Sequence, residues 1–154
     1  MNYVDATHIQ DWVRAGRATV APHQDCFRFH QHLLALQWVG SGIDWSLLPN
    51  VVIDLGALAD EVVFEAASGL PVASHSHLLA LFTPDQPGIY CEMKDGLENL
   101  DYLFWKAPGV RFVCGTDFIG GAMIPRCADF AEFRDVPVRL TVSTGEIAHH
   151  AIPH

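Results

Sequence analysis

Apolar residues recur at helical spacing through the first part of the chain. Val4, Ile9, Trp12 and Val13 share one face, Asp5 or Thr7 can cap it, Thr7 and Gln10 stand as in a capping box, and Gly16 offers a stop. In APHQDCFRFHQHLLALQWVG, Cys26, Phe29, Leu33 and Leu36 keep the same spacing, with Phe27, Leu34 and Trp38 beside them. That breadth predicts a buried helix, although CFRFHQH also alternates and leaves a strand start open. GSGIDWSLLPN reads as a turn-rich connection. The clearest periodicity lies in DLGALADEVVFEAASGLP, where Leu55, Leu58, Ala59, Val62, Val63 and Ala66 follow the i, i+3, i+4, i+7 rule. Asp54 as N-cap, Gly69 as left-handed C-cap and Pro71 as a block predict one helix here.

The second half shifts towards alternation. Ser74 to Thr83 and Ile89 to Met93 flank PDQPG and predict a β-hairpin. KDGLENLDYLFWKAPG predicts a helix capped by Asp95, with Leu97, Leu100, Leu103 and Phe104 inward and Pro108-Gly109 at its end. VRFVCGT reads as a strand, DFIGGAMIP as a flexible loop, and PRCADFAEFRD as a short helix with Pro125 in its first turn. In VPVRLTV, Val136, Val138, Leu140 and Val142 face one way, and Pro137 marks an edge strand. STGE then turns the chain into a terminal hairpin through IAHHAI. With no repeat and no regular βαβ alternation, the expected fold is one α+β domain over residues 1–154. It would have two layers, an antiparallel or mixed sheet with helices packed on it, and a mobile tail at 148–154.

Composition sharpens this picture in one respect. Half of the 154 residues are apolar, enough for a core and for apolar surface that a second copy could cover. Eighteen acids against nine bases give a formal charge of −9, and no Lys or Arg occurs between Arg28 and Lys94. Phosphate neutralisation needs those bases, so a nucleic-acid surface is excluded from this interval. A solvated surface that keeps the protein in solution is one reading of its acids, and a docking surface for a basic protein is the other. The opening MNYVDATHIQDW has acids and His where a leader needs an apolar run, and no apolar stretch reaches the ~18 residues of a membrane span. A cytoplasmic setting is expected, with Cys26, Cys91, Cys114 and Cys127 as reduced core thiols.

Candidate chemistry centres on His75 and His77. If Thr83 pairs with Ile89, then Leu81 opposes Cys91, Leu79 opposes Met93, and His77 opposes Asp95. Both histidines then extend that row at the sheet rim. His75, His77 and Asp95 are a legitimate ligand set for zinc or iron, able to activate water. The plainer expectation is no cofactor, with histidines hydrogen-bonded locally and Asp95 as a helix cap. Of His23, His30 and His32, only the first two can share a helix face, and His149, His150 and His154 belong to the tail. Cys114, at a strand end, has no adjacent base in sequence for nucleophilic work. GTDFIGG lacks the Lys of a phosphate loop, and hydrolase, zinc-protease and dinucleotide motifs are absent.

Three functions follow. The leading one is an acidic binding module of inhibitor or immunity type, docking a basic protein through Asp60, Glu61 and Glu65, with Asp44 and Trp45 as neighbours. The second is a small metal-dependent enzyme built on His75 and His77 with Asp95 or Cys91. The third is a subunit of a homo-oligomer, a dimer for instance, using the edge at Val136 to Val142.

Overall fold

The computed structural model describes residues 7–82, 87–104, 110–135 and 137–144, excepting the side chains of Thr7 and His8. Helix α1 (Thr7–Arg14) buries Ile9 and Trp12 and ends at Gly16, whose φ of 78° suits glycine. Helix α2 (His23–Leu34) starts after Pro22 and buries Cys26, Phe29 and Leu33, as their spacing predicts. Around these run β1 (Ala18–Val20), β2 (Trp38–Val39), β3 (Gly42–Ile43) and β4 (Asn50–Asp54).

The predicted helix from Asp54 is not one helix. Asp54 closes β4 and its Oδ1 accepts from the Gly56 amide at 3.0 Å, capping a short 3-10 turn, Leu55–Ala57. A second turn (Asp60–Val62), the five-residue α3 (Val63–Ala67) and a third turn (Pro71–Ser74) complete the segment. The apolar spacing still does its job, since Val63 and Ala67 are buried while Leu55 and Leu58 lie against the same core. Gly69 does not take the left-handed conformation expected of a C-cap.

Strands β5 (His77–Leu81) and β6 (Ile89–Glu92) form the predicted hairpin in another register. His77 opposes Glu92, Leu78 opposes Cys91 and Ala80 opposes Ile89. The offset from the assumed pairing is odd, so the row changes sides: Leu78 and Cys91 line one face of the sheet, Leu79 and Tyr90 the other. Helices α4 (Met93–Leu97) and α5 (Leu100–Leu103) follow, with Leu97, Leu100, Leu103 and Phe104 buried as expected. Asp95 is not the cap of α4, because Glu92 occupies that position.

The largest correction concerns residues 110–135. What reads as strand, loop and helix is a long hairpin of β7 (Val110–Ile119) and β8 (Ala122–Asp135). Gly120 and Gly121, at φ 61° and 85°, are its two-residue turn. Pro125 does not open a helix. It opposes Thr116 on a part of β8 that the next strand, β9 (Val138–Ser143), does not reach, so its missing N–H breaks no ladder on that side.

The molecule is α+β, with a seven-stranded antiparallel sheet in the order β1-β6-β5-β7-β8-β9-β4 and a small β2-β3 ribbon. β9 lies inside this sheet, not at an edge as Pro137 suggests: among the described strands the outermost are β1 and β4. Apolar side chains gather on both sheet faces. One group joins Trp12, Val63, Leu78, Leu97 and Phe133, and the other joins Phe29, Leu79, Phe112, Cys114 and Phe130 beneath α2. Among the described residues no helix is long and apolar enough to cross a membrane. Val136 and the tail histidines lie outside the described residues.

Candidate functional site

The predicted acidic surface is present as exposed side chains. Asp60 and Glu61 start the 3-10 turn before α3, and Glu65 lies on α3 itself; all three are exposed. Asp101, which no sequence pattern links to them, joins them: Asp60 and Asp101 line one small recess with Leu55, Val63, Leu97 and Leu100. Partial burial, then the charge of Asp60, raises the pKa of Asp101 above the usual carboxylate range. None of the four has a cationic partner among the described residues, whereas Arg14, Arg17, Lys94, Arg126 and Arg134 each lie against a carboxylate. Lys94 comes within 5.9 Å of the Phe64 ring on α3, but its ammonium is held by Glu98 at 2.8 Å.

Asp44 and Trp45 do not extend this surface. Trp45 stacks on Phe130 and donates to Glu132 at 3.1 Å, so it belongs to the group under α2, on the sheet face opposite Val63. Asp44 accepts from the Ser46 amide and hydroxyl and caps the turn Trp45–Leu47. Both are local supports: Glu132, buried, also accepts from the Ile43 amide at 2.9 Å and fixes the whole segment onto β8.

The histidines have separate surroundings. His75 stands between the turn Pro71–Ser74 and β5, and each ring nitrogen meets a carboxylate: Nδ1 is 2.7 Å from Asp117, Nε2 is 2.7 Å from Asp129. Asp117 is held on its other oxygen by Arg126 at 2.8 Å. Gly115 makes the space, since a Cβ there would come within 2.2 Å of the imidazole. Burial by itself would lower the imidazole pKa, but the bonds to Asp129 and Asp117 outweigh it and leave it raised. Arg126 first, then His75, depress the Asp117 pKa. When protonated, His75 donates from both nitrogens to the two carboxylates, and in that state neither nitrogen is free to ligate a metal.

His77 bonds Ser76 through Nδ1 at 2.7 Å and rests against Phe118. Asp95 takes a two-pronged bond from Arg17, at 3.0 and 2.7 Å. His75, His77 and Asp95 are therefore not gathered into one ligand set, and among the described residues no group of three or more His, Cys, Asp or Glu is placed to hold a metal. Cys91 is buried on the apolar face, where burial pushes its thiol up to about 12. Asp117, Asp129 and Arg126, the partners that define the His75 cluster, fall in segments the sequence reads as loop and helix. The Gly120-Gly121 pair was the available signal for the hairpin that brings them together. Compared with family models, with curated proteins and with solved structures, the chain matches none.

Proposed function

We propose that the protein is an acidic binding module that docks a basic protein, as an inhibitor of such a partner would. The observation that carries this reading is the set of exposed carboxylates at Asp60, Glu61, Glu65 and Asp101, without cationic partners among the described residues, where Arg17, Lys94 and Arg126 are engaged with other carboxylates. Crowded like charges cost free energy in the unbound protein, and a cationic partner relieves that cost while speeding encounter. The test uses a small basic protein, lysozyme, as probe. Calorimetry would compare Asp60→Asn/Glu61→Gln with the charge-matched pair Asp11→Asn/Glu92→Gln. Loss of binding confined to the first pair, and abolition of wild-type binding near ~0.5 M salt, are expected. Equal losses in both pairs, or indifference to salt, would reject a specific face.

A second reading, self-association, has its own support. Edge strand β4 is uncharged from Asn50 to Ile53, and Val51 and Val52 are 41% and 55% exposed. Two copies paired antiparallel about Val52 would set Asn50 opposite Asp54, with no like charges facing. Gel filtration across concentrations should show a dimer that Val52→Lys abolishes, and a monomer at every concentration would dismiss the idea.

A further inference from the structure

Strands β7 and β8 lose register at one place: Cys114 opposes Phe130 and Gly115 opposes Arg126, so Cys127, Ala128 and Asp129 bulge against a single step of β7. A bulge re-aims side chains that regular pleating would hold apart. Here Cys127 falls at the step next to Cys114 and packs against the apolar group to which Cys114 belongs, so the two thiols are neighbours. The two differ in access, since Cys114 is 0% exposed while Cys127 is half-buried at the surface. Exposed Arg28, on α2, acts on Cys127 in favour of the thiolate; Asp25, also on α2, opposes it, and Asp129 acts on Cys114.

We propose that Cys114 and Cys127 are a redox-active dithiol for small disulfides, with Cys127 the attacking sulfur and Cys114 the resolving one. The Cys127 thiolate attacks one sulfur of the disulfide RSSR; the S–S bond breaks, a Cys127–SR mixed disulfide forms and RS⁻ leaves. Cys114 then gives up its proton and attacks the Cys127 sulfur, closing a Cys114–Cys127 disulfide and expelling the second RS⁻. The protein loses two electrons and two protons, and RSSR becomes two RSH. The asymmetry suits the roles. The neighbouring Cys114 lowers the Cys127 pKa against the effect of burial, whereas burial first, then the neighbouring Cys127, raises that of Cys114. Oxidation would also pin the bulge that carries Asp129 and so one side of the His75 clamp.

The test equilibrates the full chain with oxidised glutathione, quenches with an alkylating reagent and reads the intact mass and the linked peptide. Wild type should lose two thiols, keep no glutathione, and show a Cys114–Cys127 link with Cys26 and Cys91 still reduced. Cys114→Ser should stop at one glutathione on Cys127, and Cys127→Ser should leave Cys114 unmodified. Four free thiols in an oxidising buffer, a link through Cys26 or Cys91, or glutathione on Cys114 would overturn the assignment. Should either variant fail to fold by circular dichroism, wild-type alkylation order decides: Cys127 should be alkylated ahead of the buried Cys26, Cys91 and Cys114. Alkylation of Cys114 ahead of Cys127, or of all four at one rate, would count against it.

Discussion

At the scale of single residues, the His75 cluster sets a pH window. A raised imidazole pKa contributes stability that is whole below the unfolded value of ~6.5 and is lost as pH rises through the folded value. The depressed pKa of Asp117 works the other way, contributing above ~3.9 and failing as pH falls through its folded value. Stability from this cluster should therefore peak between those limits, and His75→Gln should flatten the alkaline flank of a plot of denaturation midpoint against pH and only soften the acid flank, where Arg126 still holds Asp117. Gly115→Ala should cost about 1–3 kcal/mol by urea unfolding, because its Cβ meets the ring and the Val72 carbonyl at 3.0 Å. Combined with His75→Ala it should cost less than the sum of the two. The sequence drew attention to His75 through the H-x-H alternation, yet alternation is not what positions it, since the residue precedes β5 and answers to two carboxylates far along the chain.

At the scale of elements, helices with a narrow apolar stripe were legible and strands buried on both faces were not. Helix α1 and the inward residues of α4 and α5 follow from spacing alone, and in α2 the spacing places Cys26, Phe29 and Leu33 inward, while Phe27 and Leu34, expected within a broad buried surface, are exposed. In β8 the run Phe130, Ala131, Glu132, Phe133 is buried throughout, because β7 and β9 flank it and both sheet faces are covered. A short continuous apolar run carries no period that separates strand from helix. Likewise the helical spacing after Asp54 was real, but pairing of Val51 to Ile53 with β9 and the break at Gly56 left room only for short turns. The Gly120-Gly121 turn gives this scale its prediction. Gly121→Val should destabilise the fold by about 1–2 kcal/mol, since a β-branched residue resists positive φ, while Gly121→Asn should be nearly silent in thermal unfolding.

At the scale of the whole molecule, charge and topology carry the argument. The deficit of bases between Arg28 and Lys94 was visible in sequence. That Asp101 completes the surface and that Trp45 leaves it required the fold. Because partial burial, then Asp60, raises the Asp101 pKa above its ordinary value, a cationic partner that lowers it should release protons where Asp101 titrates. Binding should weaken as pH falls through the Asp101 value, and calorimetry in buffers of different ionisation heat should register proton release. No uptake or release in that range would place the contact elsewhere. Topology has a separate consequence, for how the chain is made. Both outer strands come early and wait for late partners, β1 for β6 and β4 for β9, the latter roughly ninety residues away where Asn50 meets Ser143. On the ribosome, Val51 and Val52 therefore emerge long before the strand that covers one side of them exists. Completion of the sheet waits on β9, which is made after the other described strands, and a holdase that shelters the nascent chain around β4 should raise the yield of folded protein.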